Sequence, residues 1–280
     1  MNDAQSGRRP GFGWTILAIV IVVTYLFPVY WMVATSLKSN AAVYATPPQI
    51  IPWPPNFTAY VTAVIHNPLA LRSILNSGII GFGTMLLTLI LAAPAAYALA
   101  RLRLPGGALF MLLLLITQLL PAIIIATPLF VLFTRVGLVN SYPALILADT
   151  TFALPFAVIV LRPFFLTVPT ELEAAAKIDG CSQFGAFWRV ILPLVQPGLI
   201  TVAVFAFLMG WGEFLFAITL TTNEAIQPAT AALNKFIGQY GTEWNNLMAV
   251  ATTVALPIII VFASLQRYIV GGLTAGSVKQ

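Results

Sequence analysis

Long apolar runs, each closed by a proline, a glycine or a basic residue, alternate along the chain with short polar connections. They extend from Trp14 to about Ser36, from Ser77 to Ala100, from Ala108 to Phe133, over about 141–162, from Pro193 to Thr221, and over about 246–265. A helix needs about 20 apolar residues to cross a hydrocarbon layer of roughly 30 Å, and each run is of about that length. The pattern predicts six transmembrane helices and an all-α integral membrane fold. The first run is too long for a signal-peptide core of about 7–15 residues, and no small-residue cleavage site follows it, so it is expected to be a retained span.

Composition agrees with the pattern. The 280 residues are 60% hydrophobic and 8% charged, whereas ordinary soluble domains carry roughly 25% charged residues. The net charge of +5 comes from basic residues at the ends of the runs rather than from a cluster. That points to membrane topology, with lipid as a partner and no nucleic acid. With the N-terminus inside, the inner segments hold Arg8, Arg9, Arg101, Arg103, Arg162, Lys177, Arg189, Arg267 and Lys279, and the outer ones hold Lys38, Arg72, Arg135 and Lys235. This bias follows the positive-inside rule and places both termini in the cytoplasm. A single cysteine, Cys181, excludes an internal disulfide, and a single histidine, His66, excludes a His-rich metal site.

Two connections stand out. The first external loop, 37–76, contains the stretch YATPPQIIPWPPNFTAY, five prolines with Trp53, Phe57 and Tyr60, a composition suited to a stiff segment at the membrane surface. Its Asn56-Phe57-Thr58 sequon is treated as chance. The second is the polar loop 163–192. Thr170 and Glu173 have capping-box spacing, Lys177 suits a helix C-terminus, and Gly180 suits the position just past it. A second short helix is expected after Ser182, ending at Leu192-Pro193. By itself this pattern fits either a surface hairpin or a docking element.

Within that loop, ELEAAAKIDGCSQFGAFWRVILPLVQP resembles the EAA loop of ATP-binding-cassette importer permeases, with Asp179-Gly180 and Leu192-Pro193-Leu194 at the family's spacing. Ala174 stands where the family usually has its glutamate, with Glu173 beside it. Trp211-Gly212-Glu213-Phe214-Leu215-Phe216-Ala217 is similar to a stretch of span 5 in the maltose-type carbohydrate branch, with Gly212 in place of asparagine. The ending QRYIVGGLTAGSVKQ and Ala96-Tyr97-Ala98-Leu99-Ala100-Arg101 also match that branch. The resemblance implies a type I importer permease of the MetI-like fold with cytoplasmic coupling helices. It divides the chain into a tail over 1–13, a permease domain over 14–270 with its coupling loop at 163–192, and a tail over 271–280.

The resemblance further implies that this chain forms half of a path for a di- or oligosaccharide. Its partners would be a sister permease in a heterodimer, two copies of an ATPase subunit that bind ATP and magnesium, and an extracytoplasmic sugar-binding lipoprotein. ATPase contacts would fall on Glu171, Glu173, Ala175, Asp179, Gly180 and Arg189, with the tail over 272–279 reaching the same partner. Arg189 is also expected to pair with an acid in the loop. The sequence lacks a G-x-x-x-x-G-K-[ST] phosphate loop, so no cofactor and no catalytic residue is expected in this chain.

Polar groups inside the spans mark the expected substrate path, because they are costly in lipid and must face protein or water. These are Asn76, Ser77, Thr117, Gln118, Asp149 and Glu213, with Trp211 and Phe214 as stacking surfaces for a sugar; hydrogen bonding between helices would place the same groups equally well. Pro121, Pro128, Pro155 and Pro257 sit in or near span interiors and imply kinked, packed helices. A proton-coupled secondary transporter using Asp149 or Glu213 is the alternative function. A membrane enzyme fits less well, since one histidine, one cysteine and no paired acids leave little reactive chemistry.

Overall fold

The computed structural model describes residues 12–238 and 241–275. Arg8, Arg9, Lys279, most of the expected N-terminal tail and half of the expected C-terminal one lie outside them. The chain divides into two compact units. One contains residues 12–67 and Phe236–Thr253; the other contains Pro68–Lys235 and the remainder of the last helix.

In the first unit, α1 (Phe12–Ser36) exposes apolar side chains from Trp14 to Tyr30. After it, Tyr60 and Ser36 share a hydroxyl hydrogen bond of 2.7 Å. The unit also holds a minimal antiparallel ladder in which Ile237–Gly238 pairs with Gly241–Thr242.

The second unit is built on α2 (Pro68–Arg101), α3 (Gly107–Thr117), α4 (Ala122–Arg135) and α5 (Tyr142–Thr167). These are followed by α6 (Thr170–Ile178), α7 (Gln183–Leu194), α8 (Gln196–Gly212), α9 (Leu215–Leu220) and α10 (Ala229–Leu233). The last helix, α11 (Trp244–Ala275), contributes to both units.

Four helical segments are long and apolar enough to span a bilayer alone: Gly13–Ser36, Pro68–Arg101, Tyr142–Thr167 and Trp244–Gln266. Two bent pairs, α3 with α4 and α7 with α8, bring the number to as many as six.

Three predicted boundaries need correction. α2 starts at Pro68 rather than Ser77, because proline is well suited to a first helical position, where its missing N–H costs nothing. The segment joining α1 to α2 therefore ends at residue 67. The expected continuous third span is two helices meeting at 97°. Pro121 adopts an extended conformation there and caps α4, while Leu119 and Leu120 close α3 with tight turns to Ile116 and Thr117. A proline disfavours helix in the residue before it, and that breaks the run. The expected fifth span also divides: α8 stops at Gly212 and α9 begins at Leu215. The 80° bend between α7 and α8 falls where the short loop helix was expected to end.

α2, α5 and α8 pack against one another around two apolar clusters. Tyr97, Val158, Leu161, Phe165, Phe187 and Ile191 lie in one; Ile80, Phe133, Leu145 and Phe216 lie in the other. Close approach of α2 and α8 depends on glycine. A Cβ on Gly210 would stand 2.9 Å from Thr84 Oγ1 and 3.1 Å from Gly81 Cα. Small residues permit such contacts where lipid offers no hydrophobic drive for helix association. Gly210→Ala is expected to destabilise the protein by about 1–3 kcal/mol through overpacking. Gly212→Ala, which meets nothing within 4 Å, is expected to be near neutral. Thermal unfolding of the two variants in detergent, compared side by side, checks this.

Candidate functional site

Glu173 stands at the centre of the polar loop. Capping-box spacing places Thr170 at the helix N-cap, but Pro169 takes that position without a side-chain cap, and Thr170 is the first residue of α6. Glu173 is thereby released from the backbone and turns inward, 8% exposed. Its Oε1 accepts from the Tyr97 hydroxyl at 2.9 Å and from Gln183 Nε2 at 2.8 Å, and it pairs with Lys177 Nζ at 3.0 Å. Arg101 Nε lies 3.9 Å from Oε2, at ion-pair distance, and Arg101 Nη2 donates to the Val168 carbonyl. Gln183 also donates to the Tyr97 hydroxyl at 2.6 Å. One carboxylate thus joins the end of α2 to both loop helices.

Aromatic packing supports the same junction. The Tyr97 ring meets Phe187 at 4.9 Å and Phe165 at 5.8 Å between centroids. Gly180, at φ +88°, ends α6 as expected. Its N–H donates to Lys177 O and that of Cys181 to Ala176 O, the double closure of a Schellman turn. Ser182 then caps α7, accepting from Gly185 N at 3.1 Å.

With its interior fixed, the loop presents an apolar outer surface. Ile178 is 86% exposed and Phe184 70%, with Leu172 and Trp188 also exposed. Glu171, Ala175, Asp179, Gly180 and Arg189 are exposed as well. Arg189 makes no ion pair among the described residues, contrary to the expected pairing within the loop.

The polar groups of the spans divide by what they bond. Asn76 is buried and fully used: its amide donates to Ala225 O and Gln227 O, and its Oδ1 accepts from the Tyr142 hydroxyl at 2.7 Å. Ser77 Oγ accepts from Ala229 N. These two side chains tie α2 to the segment leading into α10. Thr117 bonds back to Leu114 O, while Gln118 donates to Phe152 O and bridges α3 to α5. Trp211 is buried, its ring tilted against that of Phe207 at 5.6 Å between centroids, so it offers no open face; Phe214 is exposed.

Glu213 fills the break between α8 and α9. Its carboxylate accepts from the backbone N–H groups of Leu215, Phe216 and Ala217 at 2.7–3.1 Å. Asp149 and Glu213 line one cavity of about 360 Å³, together with Ala122, Phe152, Met209 and Gly212. No group of three or more His, Cys, Asp or Glu able to hold a metal occurs among the described residues.

Residues 89–274 match the family of binding-protein-dependent transport system inner membrane components. The chain belongs to this family. It is 38% identical to the trehalose transport system permease protein SugB of Mycobacterium tuberculosis, across 98% of this chain and 99% of that one. It is 35% identical to the sulfoquinovosyl glycerol transport system permease protein SmoH of Agrobacterium fabrum, across 94% and 92% respectively. Among solved structures, a bacterial transporter that imports alginate shares the fold with a TM-score of 0.80 at 23% identity, covering 96% of this chain and 99% of that one. The protein is thus a membrane permease subunit of the ATP-binding-cassette importers, with the MetI-like fold. Kinship with such permeases favours this reading over a proton-coupled secondary transporter.

The permease's loop clamp uses residues that sequence reasoning did not single out as a site. Tyr97, Arg101 and Gln183 are far from Glu173 in sequence except for the last. The only available signal was that Tyr97 and Arg101 fall in a stretch matching the carbohydrate branch. Burial pushes the Glu173 carboxyl pKa up, but hydrogen bonds from Lys177, Tyr97 and Gln183 outweigh it and hold the group below the usual glutamate range. A depressed carboxylate pKa stabilises the folded loop above the unfolded value, and that contribution is lost as pH falls through the folded one. The loop is therefore expected to stay closed at neutral pH and to open only below the ordinary glutamate range. Glu173→Ala leaves Arg101 without its carboxylate and is expected to cost about 3 kcal/mol locally. Hydrogen exchange across 170–191, measured on wild type and variant as pH is lowered, checks both statements.

Proposed function

We propose that the permease forms half of a sugar path and receives its drive through the loop containing α6 and α7. The observation that carries this is the exposed set Leu172, Ile178, Phe184 and Trp188 on a loop whose interior is clamped by Glu173. Large apolar side chains gathered on an otherwise polar loop mark a protein-binding surface. The partner is a separate ATPase subunit, present in two copies, which holds ATP and magnesium. Ala175, Asp179 and Gly180 lie on the same exposed loop, with Glu171 and Arg189 as its charges. Glu173, turned inward, keeps the loop rigid so that a push at its surface reaches α2 through Tyr97 and Arg101.

The opposite partner in the membrane is a homologous sister permease, giving a heterodimer, and an extracytoplasmic binding protein delivers the solute. The basic-residue bias places both termini and the loop in the cytoplasm. Substrate of the di- or oligosaccharide class is supported by the relative named for trehalose, a disaccharide, while the one named for sulfoquinovosyl glycerol supports a glycoside more generally. The cavity between Asp149 and Glu213, with Phe214 exposed nearby in sequence, is the part of this chain suited to line the path.

Ile178→Glu tests the docking reading without disturbing the core, since this side chain is almost fully exposed. In the complex co-expressed with sister permease and ATPase, it is expected to reduce sugar-stimulated ATP hydrolysis by tenfold or more, on the order of the loss of one interface hot spot. Membrane insertion is expected to be unchanged. Normal assembly and turnover would reduce the loop to a surface hairpin.

A further inference from the structure

Lys38 follows the end of α1 and is only 4% exposed. Its ammonium lies 4.2 Å from the centroid of the Trp31 ring, which stands five residues before the end of α1. At 1.5 Å per residue that ring belongs roughly 8 Å below the helix end. The following segment turns back to the same depth: the Tyr30 hydroxyl donates to Ile50 O at 2.8 Å, and Asn56 N donates to Leu37 O at 2.8 Å. Together they enclose a cavity of about 410 Å³ lined by Lys38, Gln49, Trp53, Pro54, Asn56 and Phe57.

No carboxylate answers this cation nearby in sequence, because residues 12–67 contain neither Asp nor Glu. In the rest of the described unit the one acid is Glu243, which accepts from Asn246 Nδ2 at 2.7 Å. The Lys38 ammonium itself has no hydrogen-bond acceptor among the described residues; the Trp31 face is its contact. Burial accordingly pulls the Lys38 pKa below the usual lysine value. A buried charge without a counter-ion is costly, and an anion entering from outside would relieve that cost.

The surroundings of the cavity identify the anion. Trp53 and Phe57 line it and are well exposed, as are Tyr44, Ile50 and Ile51 of the same segment, and Trp and Tyr with large aliphatic groups at a span end belong to the lipid interface. We propose that this pocket binds the phosphate of an anionic phospholipid headgroup, with Lys38 as its counter-ion and the acyl chains lying against the exposed isoleucines and α1. The amides of Gln49 and Asn56 line the same cavity and suit the glycerol or headgroup oxygens. This site is independent of ATPase docking and rests only on the chain's place in the membrane.

The assembled transporter, delipidated in neutral detergent, is titrated with phosphatidylglycerol, phosphatidylcholine or inorganic phosphate. Retained lipid is read by native mass spectrometry and stability by melting temperature. Wild type is expected to retain phosphatidylglycerol in preference to phosphatidylcholine, whose own ammonium neutralises its phosphate, and to melt higher with it. Lys38→Gln is expected to bind phosphatidylglycerol on the order of fivefold more weakly, and Lys38→Arg to keep the binding. Should Lys38→Gln fail to assemble, the lipid preference of wild type and of Lys38→Arg decides the question. Equal retention in wild type and Lys38→Gln, or no preference between the two lipids, overturns the site. A melting shift reproduced by inorganic phosphate alone makes it a free-anion site instead. Unchanged lipid retention in Lys38→Gln with weakened association of the binding protein makes it a socket for an acidic side chain.

Discussion

A carboxylate taken out of water must be met by donors, and at Glu173 three side chains donate to it while a fourth, Arg101, approaches as a counter-charge. The geometry that follows reaches well beyond one residue. Tyr97 can reach Glu173 only if the end of α2 stands against α6, and Gln183 only if the Schellman turn at Gly180 folds α7 back. Phe165 and Phe187 then close on the Tyr97 ring. The loop is therefore a rigid extension of α2 and α5, with Glu173 bonded inside it and Leu172, Ile178, Phe184 and Trp188 left outside. An element that must pass force from another protein into membrane helices needs both properties.

The same constraint shapes the spans themselves. Backbone groups freed in a membrane must be satisfied by the protein or by a water-lined cavity. At the end of α8 the helix stops, and the Glu213 side chain takes the first N–H groups of α9. At the end of α3 the proline break is spanned by Gln118, which reaches α5. Both polar residues act first as structural replacements for lost helix bonds. The helix breaks still matter for transport: Glu213 and Asp149 face one cavity, and Ala122 at the start of α4 lines it too. Irregular backbone at membrane depth is tolerated where it borders protein or such a space.

Two lysines of the loops illustrate opposite solutions to the same electrostatic problem. Lys177, on α6, lies one helical turn from Glu173 and pairs with it while staying partly solvated. Lys38 has no acid in its own stretch of chain and rests on an aromatic face in a partly apolar pocket. The first is complete within the protein. The second becomes complete with an anion from the surrounding bilayer.

The amino-acid sequence alone determined the solvent of this protein, the number of apolar crossings and the existence of a capped two-helix loop. These depend on composition and on local periodicity, which neighbouring residues carry without help from distant ones. Gly180 was legible because a left-handed turn restricts residue choice locally. The direction of Glu173 was not legible. Spacing gave it a capping partner three residues away, but Tyr97, 76 positions upstream, offered a better-buried one. The partners of Asn76 and Ser77 were hidden for the same reason: Ala225, Gln227 and Ala229 come from a segment about 150 residues away. Hydrophobic periodicity also could not show that two of its runs were interrupted, since apolar character continues through Pro121 and Glu213. Only the tertiary fold decides where a polar side chain points, because its hydrogen-bond partner is chosen by proximity in space.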